Sequence, residues 1–94
     1  MSGMDIVKNE AESRYELHVE GELVGFVDYI VDGCVVELPH TYVNPAHGGQ
    51  GYAGRLAKFA LEDVQAQGKS VRPTCSYIAS YVDKHPEYHA AVAR

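Results

Sequence analysis

The sequence predicts an α/β fold: an antiparallel meander, then a parallel strand pair joined by a βαβ crossover, with one long helix and short C-terminal helices. Three observations carry that expectation. Up to Val43, alternating or β-branched runs are separated by turn residues. The glycine-rich stretch Gly48-Gly49-Gln50-Gly51-Tyr52-Ala53-Gly54 then leads into Ala53, Leu56, Ala57, Ala60, Leu61 and Val64, whose three- and four-residue spacing makes one apolar helical stripe. A short strand-like segment follows that helix, and a helical crossover between strands favours parallel pairing.

The elements follow in order. Ile6 and Val7 suit a short edge strand. Tyr15, Leu17 and Val19 alternate with Glu16, His18 and Glu20, the pattern of a half-buried strand. Glu20-Gly21-Glu22 turns the chain into a second strand, Leu23 to Val31. Asp32-Gly33 is a hairpin signal, after which Cys34 to Val43 returns as the third strand. Pro39 removes a ladder donor there, so a bulge or unpaired edge is expected near Leu38-Pro39-His40. Gly68 is placed to end the long helix. Ser70 to Cys75 reads as a short strand parallel to Cys34–Val43. Ser76 is expected to cap a helix with Ile78, Tyr81, Val82 and His85 on one face, and Pro86 to open a last short helix reaching Val92.

Ninety-four residues, 46% hydrophobic and 22% charged, suit one globular domain spanning residues 1–94. No apolar run approaches a bilayer span, and Met1-Ser2-Gly3-Met4-Asp5 lacks the pattern of a secretory leader, so a cytoplasmic protein without membrane association is expected. Two cysteines do not make a disulfide scaffold. A formal net charge of −5 argues against nucleic acid and mildly favours a cationic substrate.

A strand, a glycine turn and a helix N-terminus form an anion site. The first amide N–H groups of the helix lack intrahelical partners, the macrodipole is positive there, and glycines admit a phosphate closely. Four glycines in these seven residues cost conformational entropy, which makes sense where backbone touches a ligand. A P-loop is excluded because no Lys-Ser/Thr pair follows the glycines. The dinucleotide fingerprint matches Gly49-x-Gly51-x-x-Gly54 literally. The downstream acid is missing, however, where the chain reads Ser70-Val71-Arg72-Pro73-Thr74.

Gly51-Tyr52-Ala53 matches the Gly-x-Ala end of the loop Arg/Gln-x-x-Gly-x-Gly/Ala. With His40-Thr41-Tyr42-Val43, Pro73-Thr74-Cys75-Ser76-Tyr77 and His85-Pro86-Glu87-Tyr88, the chain resembles the GNAT-type N-acetyltransferases, in particular their very small single-domain branch, over roughly Val35 to Tyr88. Gly48 departs from the family's Arg or Gln. The resemblance implies acetyl-CoA as co-substrate and a GNAT-like fold, whose bulged strand splays from its neighbour to admit pantetheine. It implies cofactor contacts from Gly48, Gly49, Gln50, Gly51, Tyr52, Ala53 and Gly54, from the Tyr42-Val43 backbone, and from Cys75 and Tyr77.

Cys75 and His40 are the catalytic candidates. Cys75 closes a strand and opens a helix, where thiolate is favoured; it could carry a transient acetyl group or only line the cavity. His40, on the strand that the resemblance turns toward the cofactor, could take a proton from the acceptor ammonium. Glu37 is a second candidate base, though it also reads as a solvated strand residue. Tyr77 or Tyr81 could protonate the departing thiolate, against a packing role for most of the seven tyrosines. His85 and His89 have ligand-like spacing, but Pro86 intervenes and no third ligand is near, so no metal is expected.

The expected function is acetyl transfer to an amine of a small molecule or protein, by a monomer or weak dimer. The alternatives are a CoA or acyl-CoA binding module without turnover, or an interaction protein that uses the meander edge.

Overall fold

The structure, a computed structural model, describes residues 3–93; Met1 and Ser2 of the stretch read for a leader, and Arg94 at the end of the expected domain, lie outside them. Five strands, β1 (Met4–Asn9), β2 (Arg14–Val19), β3 (Glu22–Asp32), β4 (Val35–Val43) and β5 (Ser70–Arg72), form one sheet in sequential order. The first four pair antiparallel, and β5 joins β4 in parallel after helix α1 (Tyr52–Ala66). Helix α2 (Ser76–Lys84) and 3-10 turns at Pro45–His47 and Pro86–Ala91 complete the described chain.

Turn chemistry sets the hairpins. Glu20 and Gly21 both have positive φ, at 51° and 82°, which matches the right-handed twist of the flanking strands. At the next hairpin Gly33 and Cys34 occupy the loop, so β4 starts at Val35 and Cys34 belongs to the exposed turn rather than to the strand. Helix α1 ends as expected: Gly68 is left-handed at φ 72°, and Lys69 N–H donates to the Val64 carbonyl at 3.1 Å, closing a Schellman turn.

The core lies on one face of the sheet. Tyr15, Leu17, Val27, Val36 and Leu38 meet Leu56, Ala57, Ala60, Leu61 and Val64 of α1 and Ile78 and Val82 of α2. The opposite face carries Glu16, Phe26, Asp28, His40 and Tyr42, and no described helix packs there. Glu16 is buried within this polar face by hydrogen bonds from Asn9 and Arg14, with His18 beside its other oxygen. Burial alone would raise its pKa, and those hydrogen bonds pull it below the ordinary carboxylate value.

The expected bulge is present. Asp28 pairs with His40 and Ile30 with Glu37, so Leu38 and Pro39 together face Tyr29. Beside it, β5 is shorter than expected. Pairing with β4 runs only through Val35–Ser70, Val36–Val71 and Glu37–Arg72. Pro73 then has no N–H to continue the ladder, and the chain turns away, with Thr74 N–H donating to the Arg72 carbonyl at 3.1 Å. One last bond, Cys75 N–H to the Leu38 carbonyl at 3.0 Å, ties the two segments together. From Pro39 to Val43, β4 therefore has no strand on its β5 side.

A second correction concerns α2. Cys75 is its N-cap, Ser76 is its first helical residue, and no side chain caps the helix. The final turn is 3-10 and ends at Ala91, after which Val92 bridges to Val71 and covers the outer edge of β5.

Candidate functional site

Three pieces of backbone converge where β4 loses its neighbour. The first is the glycine loop. Asn44 accepts a hydrogen bond from Ala46 N–H at 2.9 Å and starts the 3-10 turn that carries the chain away from β4. Gly49 and Gly51 then take positive φ, at 79° and 75°; both are exposed, and a Cβ added at either would meet nothing within 4 Å. Gly51 is the N-cap of α1, and no side chain accepts from the first turn. The amides of Tyr52, Ala53 and Gly54 therefore begin the helix without a protein cap, at its positive end. Gly48 differs from its neighbours: its φ of −63° is open to any residue, and a Cβ there would meet only the Pro45 carbonyl at 3.3 Å. Gln50 is exposed and Tyr52 half-buried, its ring 6.3 Å from that of His47.

The second piece is the unpaired stretch of β4. Gly25 of β3 allows it to sit where it does, since a Cβ on Gly25 would lie 2.6 Å from the Tyr42 carbonyl oxygen and 3.2 Å from Val43 Cα. Alternation puts Thr41 and Val43, opposite Val27 and Gly25, on the helix-covered face. His40 and Tyr42, opposite Asp28 and Phe26, project from the bare face.

The third piece is the start of α2. Cys75 is half-buried, and its thiol donates to Thr41 Oγ1 at 3.5 Å. Burial pushes the thiol pKa up. Hydrogen bonding from Thr41 and from the Tyr77 and Ile78 amides outweighs it and holds the pKa below the ordinary thiol value. Tyr77 reaches from α2 across to α1, where its hydroxyl lies 3.6 Å from the place a Gly54 Cβ would take. Burial raises its phenol pKa, so at neutral pH it is a hydroxyl able to donate. Tyr81, raised by burial and then by the charges near it, packs with its ring 3.9 Å from that of His85 and serves the interface of α2 with the last turn.

The two catalytic candidates are not brought together. Cys75 touches Thr41 on the helix-covered face, while His40 lies on the other face with Nδ1 3.3 Å from Asp28 Oδ2. Glu37 accepts a hydrogen bond from Thr74 Oγ1 at 2.7 Å, which fixes its carboxylate at the point where the β4–β5 pairing ends. His85 Nδ1 sits 2.7 Å from the Tyr81 carbonyl. Among the described residues no three His, Cys, Asp or Glu side chains gather as metal ligands.

Asp28, Thr41 and Thr74, the partners of His40, Cys75 and Glu37, escaped the sequence reading because the first depends on strand register and the other two on the path of the chain after β5 ends at Arg72. A groove of about 200 Å³ between β1 and α1, lined by Ile6, Arg55, Lys58, Phe59 and Glu62, includes none of these groups. No described helix is long and apolar enough to cross a membrane.

Comparison with known proteins bears on the fold and the family. The protein NATD1 from Gallus gallus is 42% identical over 52 residues, covering 55% of this chain and 47% of that protein. Human NATD1 is also 42% identical over 52 residues, with 55% and 46% covered. The matched stretch thus spans about half the length of these relatives. A GCN5-like protein from Staphylococcus aureus superposes with a TM-score of 0.76 at 23% identity over 99% of this chain and 91% of that one. The ribosomal-protein-S18-alanine N-acetyltransferase of Escherichia coli superposes with 0.66 at 14% identity over 76% and 49%. An N-acetylglutamate synthase from Neisseria gonorrhoeae, solved with coenzyme A and N-acetyl-glutamate, gives 0.60 at 19% identity over 76% and 19%. These likenesses show an α/β GNAT fold. The family model for the GCN5-related N-acetyltransferases matches residues 14–92, from β2 through the glycine loop and Cys75 to the last turn, and the chain belongs to that family.

Proposed function

We propose that this chain transfers an acetyl group from acetyl-CoA to an amine. The observation that carries the reading is the meeting of an uncapped helix start, reached through left-handed Gly49 and Gly51, with a strand edge unpaired beyond Leu38. Bound acetyl-CoA would supply an activated thioester. The amides of the Gly48–Gly54 loop would hold its diphosphate, with Gln50 and Tyr52 at the rim, and the Tyr42-Val43 backbone would pair with its pantetheine arm.

The chain's own part in catalysis would be mainly positioning, with modest help in moving protons. His40, with Asp28 at its Nδ1, is the group on the bare face able to accept a proton from an ammonium. Tyr77, whose hydroxyl reaches toward Gly54, would return one to the departing thiolate. Cys75 lines the same opening. We favour direct transfer, with Cys75 not acylated, because attack of the amine on the thioester in a ternary complex needs no protein thiol.

Calorimetric titration with acetyl-CoA, followed by steady-state release of CoA thiol across a panel of amines, tests the reading. Binding with amine-dependent release supports it. Binding without release would leave a CoA-binding module, the chief competing reading. An acetyl group on Cys75 of the intact protein, formed at the rate of turnover, would overturn direct transfer.

A further inference from the structure

The two edges of the sheet are not treated alike. At β5 the chain returns to cover its own edge: Val92 bridges to Val71, and the Ala93 N–H donates to the Val71 carbonyl at 2.7 Å. At β1 no described strand lies outside. The Glu20 N–H donates to the Gly3 carbonyl at 2.8 Å, which sets the ladder: Asp5, Val7 and Asn9 bond to β2, and Met4, Ile6 and Lys8 turn their amides and carbonyls outward. Open edges are normally blunted by a bulge, a proline or a charged side chain. Strand β1 pairs with β2 without a register shift and contains no proline. Its Lys8 is turned inward, with Nζ 3.2 Å from Asp63 Oδ2 and 5.3 Å from the centre of the Tyr29 ring. That ammonium already has its counter-charge, so a neighbour laid along the edge buries no unpaired charge.

We propose that a second copy of this chain occupies this edge, β1 against β1, in a dimer whose sheet runs unbroken through both copies. Symmetry fixes the register. A two-fold axis normal to the sheet makes the two strands antiparallel and leaves both helix layers on one side, so residues that stand opposite share a face. A centre at Ile6 is the one that sets all three outward residues against outward residues, Ile6 against Ile6 and Met4 against Lys8, each pair exchanging two backbone hydrogen bonds. The same centre sets Asp5 against Val7 on the bare face, so no like charges meet. A centre at Asp5 or at Lys8 would oppose two carboxylates or two ammonium groups. The flank of α1 fits the same axis. Ile6 shares a groove with Arg55, Lys58, Phe59 and Glu62, and Lys8 reaches Asp63, so α1 runs along β1 in the same sense. About the Ile6 centre, Arg55 of one copy comes abreast of Glu62 of the other. Among the described residues neither has an ion-pair partner, and Glu62 accepts only the Tyr88 hydroxyl at 3.3 Å. Half-buried Ile6 and Phe59, with Val7 at 45% exposed, supply the apolar part of the contact. A six-residue strand makes a small contact, so the dimer should dissociate in the range of about 10–500 µM. Strands β2 and β3 separate this edge from the unpaired half of β4, so the dimer leaves that opening free in both copies and does not depend on the acetyl-transfer reading.

Sedimentation equilibrium of the full chain from about 10 µM to about 1 mM tests the association, and the mass should rise from one chain toward two across that range. Amide hydrogen exchange tests the edge. At the upper concentration the amides of Met4, Ile6 and Lys8 should exchange about threefold or more slowly than at the lower, while those of Asp5 and Val7, bonded to β2 in either state, change little. Charge tests the register. Val7→Lys sets an ammonium opposite Asp5 of the other copy and Glu16 of its own, so the dimer should hold or tighten. Adding Asp5→Lys opposes ammonium groups twice and should weaken the dimer about tenfold or more. That loss would come although the added positive charge lessens the general repulsion between two acidic copies. A single-chain mass at every concentration overturns the proposal. So does a dimer in which the Met4, Ile6 and Lys8 amides exchange as freely as in the monomer, or one that the double variant leaves as tight as the parent. Should the double variant fail to fold, the exchange pattern of the parent protein decides.

Discussion

The two halves of β4 have opposite fates. From Val35 to Glu37 the strand is bonded on both edges, to β3 and β5, and Val36 is buried between Val31 and Val71. From Pro39 to Val43 it is bonded to β3 alone, and its other edge faces the start of α2 and the glycine loop. One proline and one extra residue separate the halves. The comparison teaches how a single strand serves as closed sheet along one half and open edge along the other: the paired half supplies rigidity, and the bulge releases the other half without unpairing the whole.

Substitutions should sort the halves by what they break. The largest effect is expected for Val36→Asp, which leaves a carboxylate with no partner in the core. A cost of about 3–5 kcal/mol, of the size seen when a buried charge loses its partner, would remove most of the stability of a small domain. A urea melt followed by circular dichroism should lose its cooperative transition. The matched change in the unpaired half, Tyr42→Ser, removes only an exposed ring against Phe26 and should cost about 1 kcal/mol or less. Near-equal midpoints for the two variants would erase the distinction.

Gly25→Ala presses on the unpaired half from beneath. A methyl 2.6 Å from the Tyr42 carbonyl oxygen forces β3 and β4 apart, at a cost of roughly 1–3 kcal/mol by analogy with overpacked cores. Acetyl-CoA affinity should fall along with the melting midpoint; a fall in stability with unchanged affinity would separate this edge from the cofactor.

Thr41→Val tests the contact between the edge and α2. Cys75 has a folded pKa below its unfolded one, so its thiolate adds stability above the ordinary thiol pKa, and that contribution fades as pH falls through the folded value. The pH midpoint for alkylation of Cys75 by iodoacetamide should therefore lie below that of the same thiol in the denatured chain. Thr41→Val should move it upward with little change in stability. The smallest effect is expected from Gly48→Arg. Its backbone accepts a side chain, and an exposed guanidinium near a diphosphate should tighten CoA about two- to fivefold, with a stronger salt dependence. Unchanged affinity would mean that Gly48 does not face the phosphates.

Much of this arrangement was legible in the order of residues. Asp32-Gly33 announced the hairpin, Gly68 the helix end, and Pro39 the bulge, because each acts through its own backbone geometry. The partners of the site residues were not legible. Counting back from the Gly33-Cys34 turn in an unbroken ladder pairs Asp28 with Pro39; only the extra residue of the bulge brings Asp28 opposite His40. The strand-like run Ser70 to Cys75 overstates the length of β5, because it contains Pro73, where pairing stops. Ser76 looked like a cap by residue type, but the tie from Cys75 N–H to Leu38 fixes the helix start one residue earlier. The faces chosen by His40 and Cys75 likewise follow from register and pleat, which lie beyond any short motif.

The central claim is that CoA lies along the unpaired half of β4 and over the glycine loop. Residue-resolved amide shifts during titration of the isotope-labelled protein with CoA test it most directly. The account predicts shifts at Tyr42 and Val43 and through Gly48–Gly54, with Val35 and Val36 unmoved. Saturable binding that shifts the β1–α1 groove around Ile6 and Phe59 instead, and leaves the glycine loop still, would contradict it.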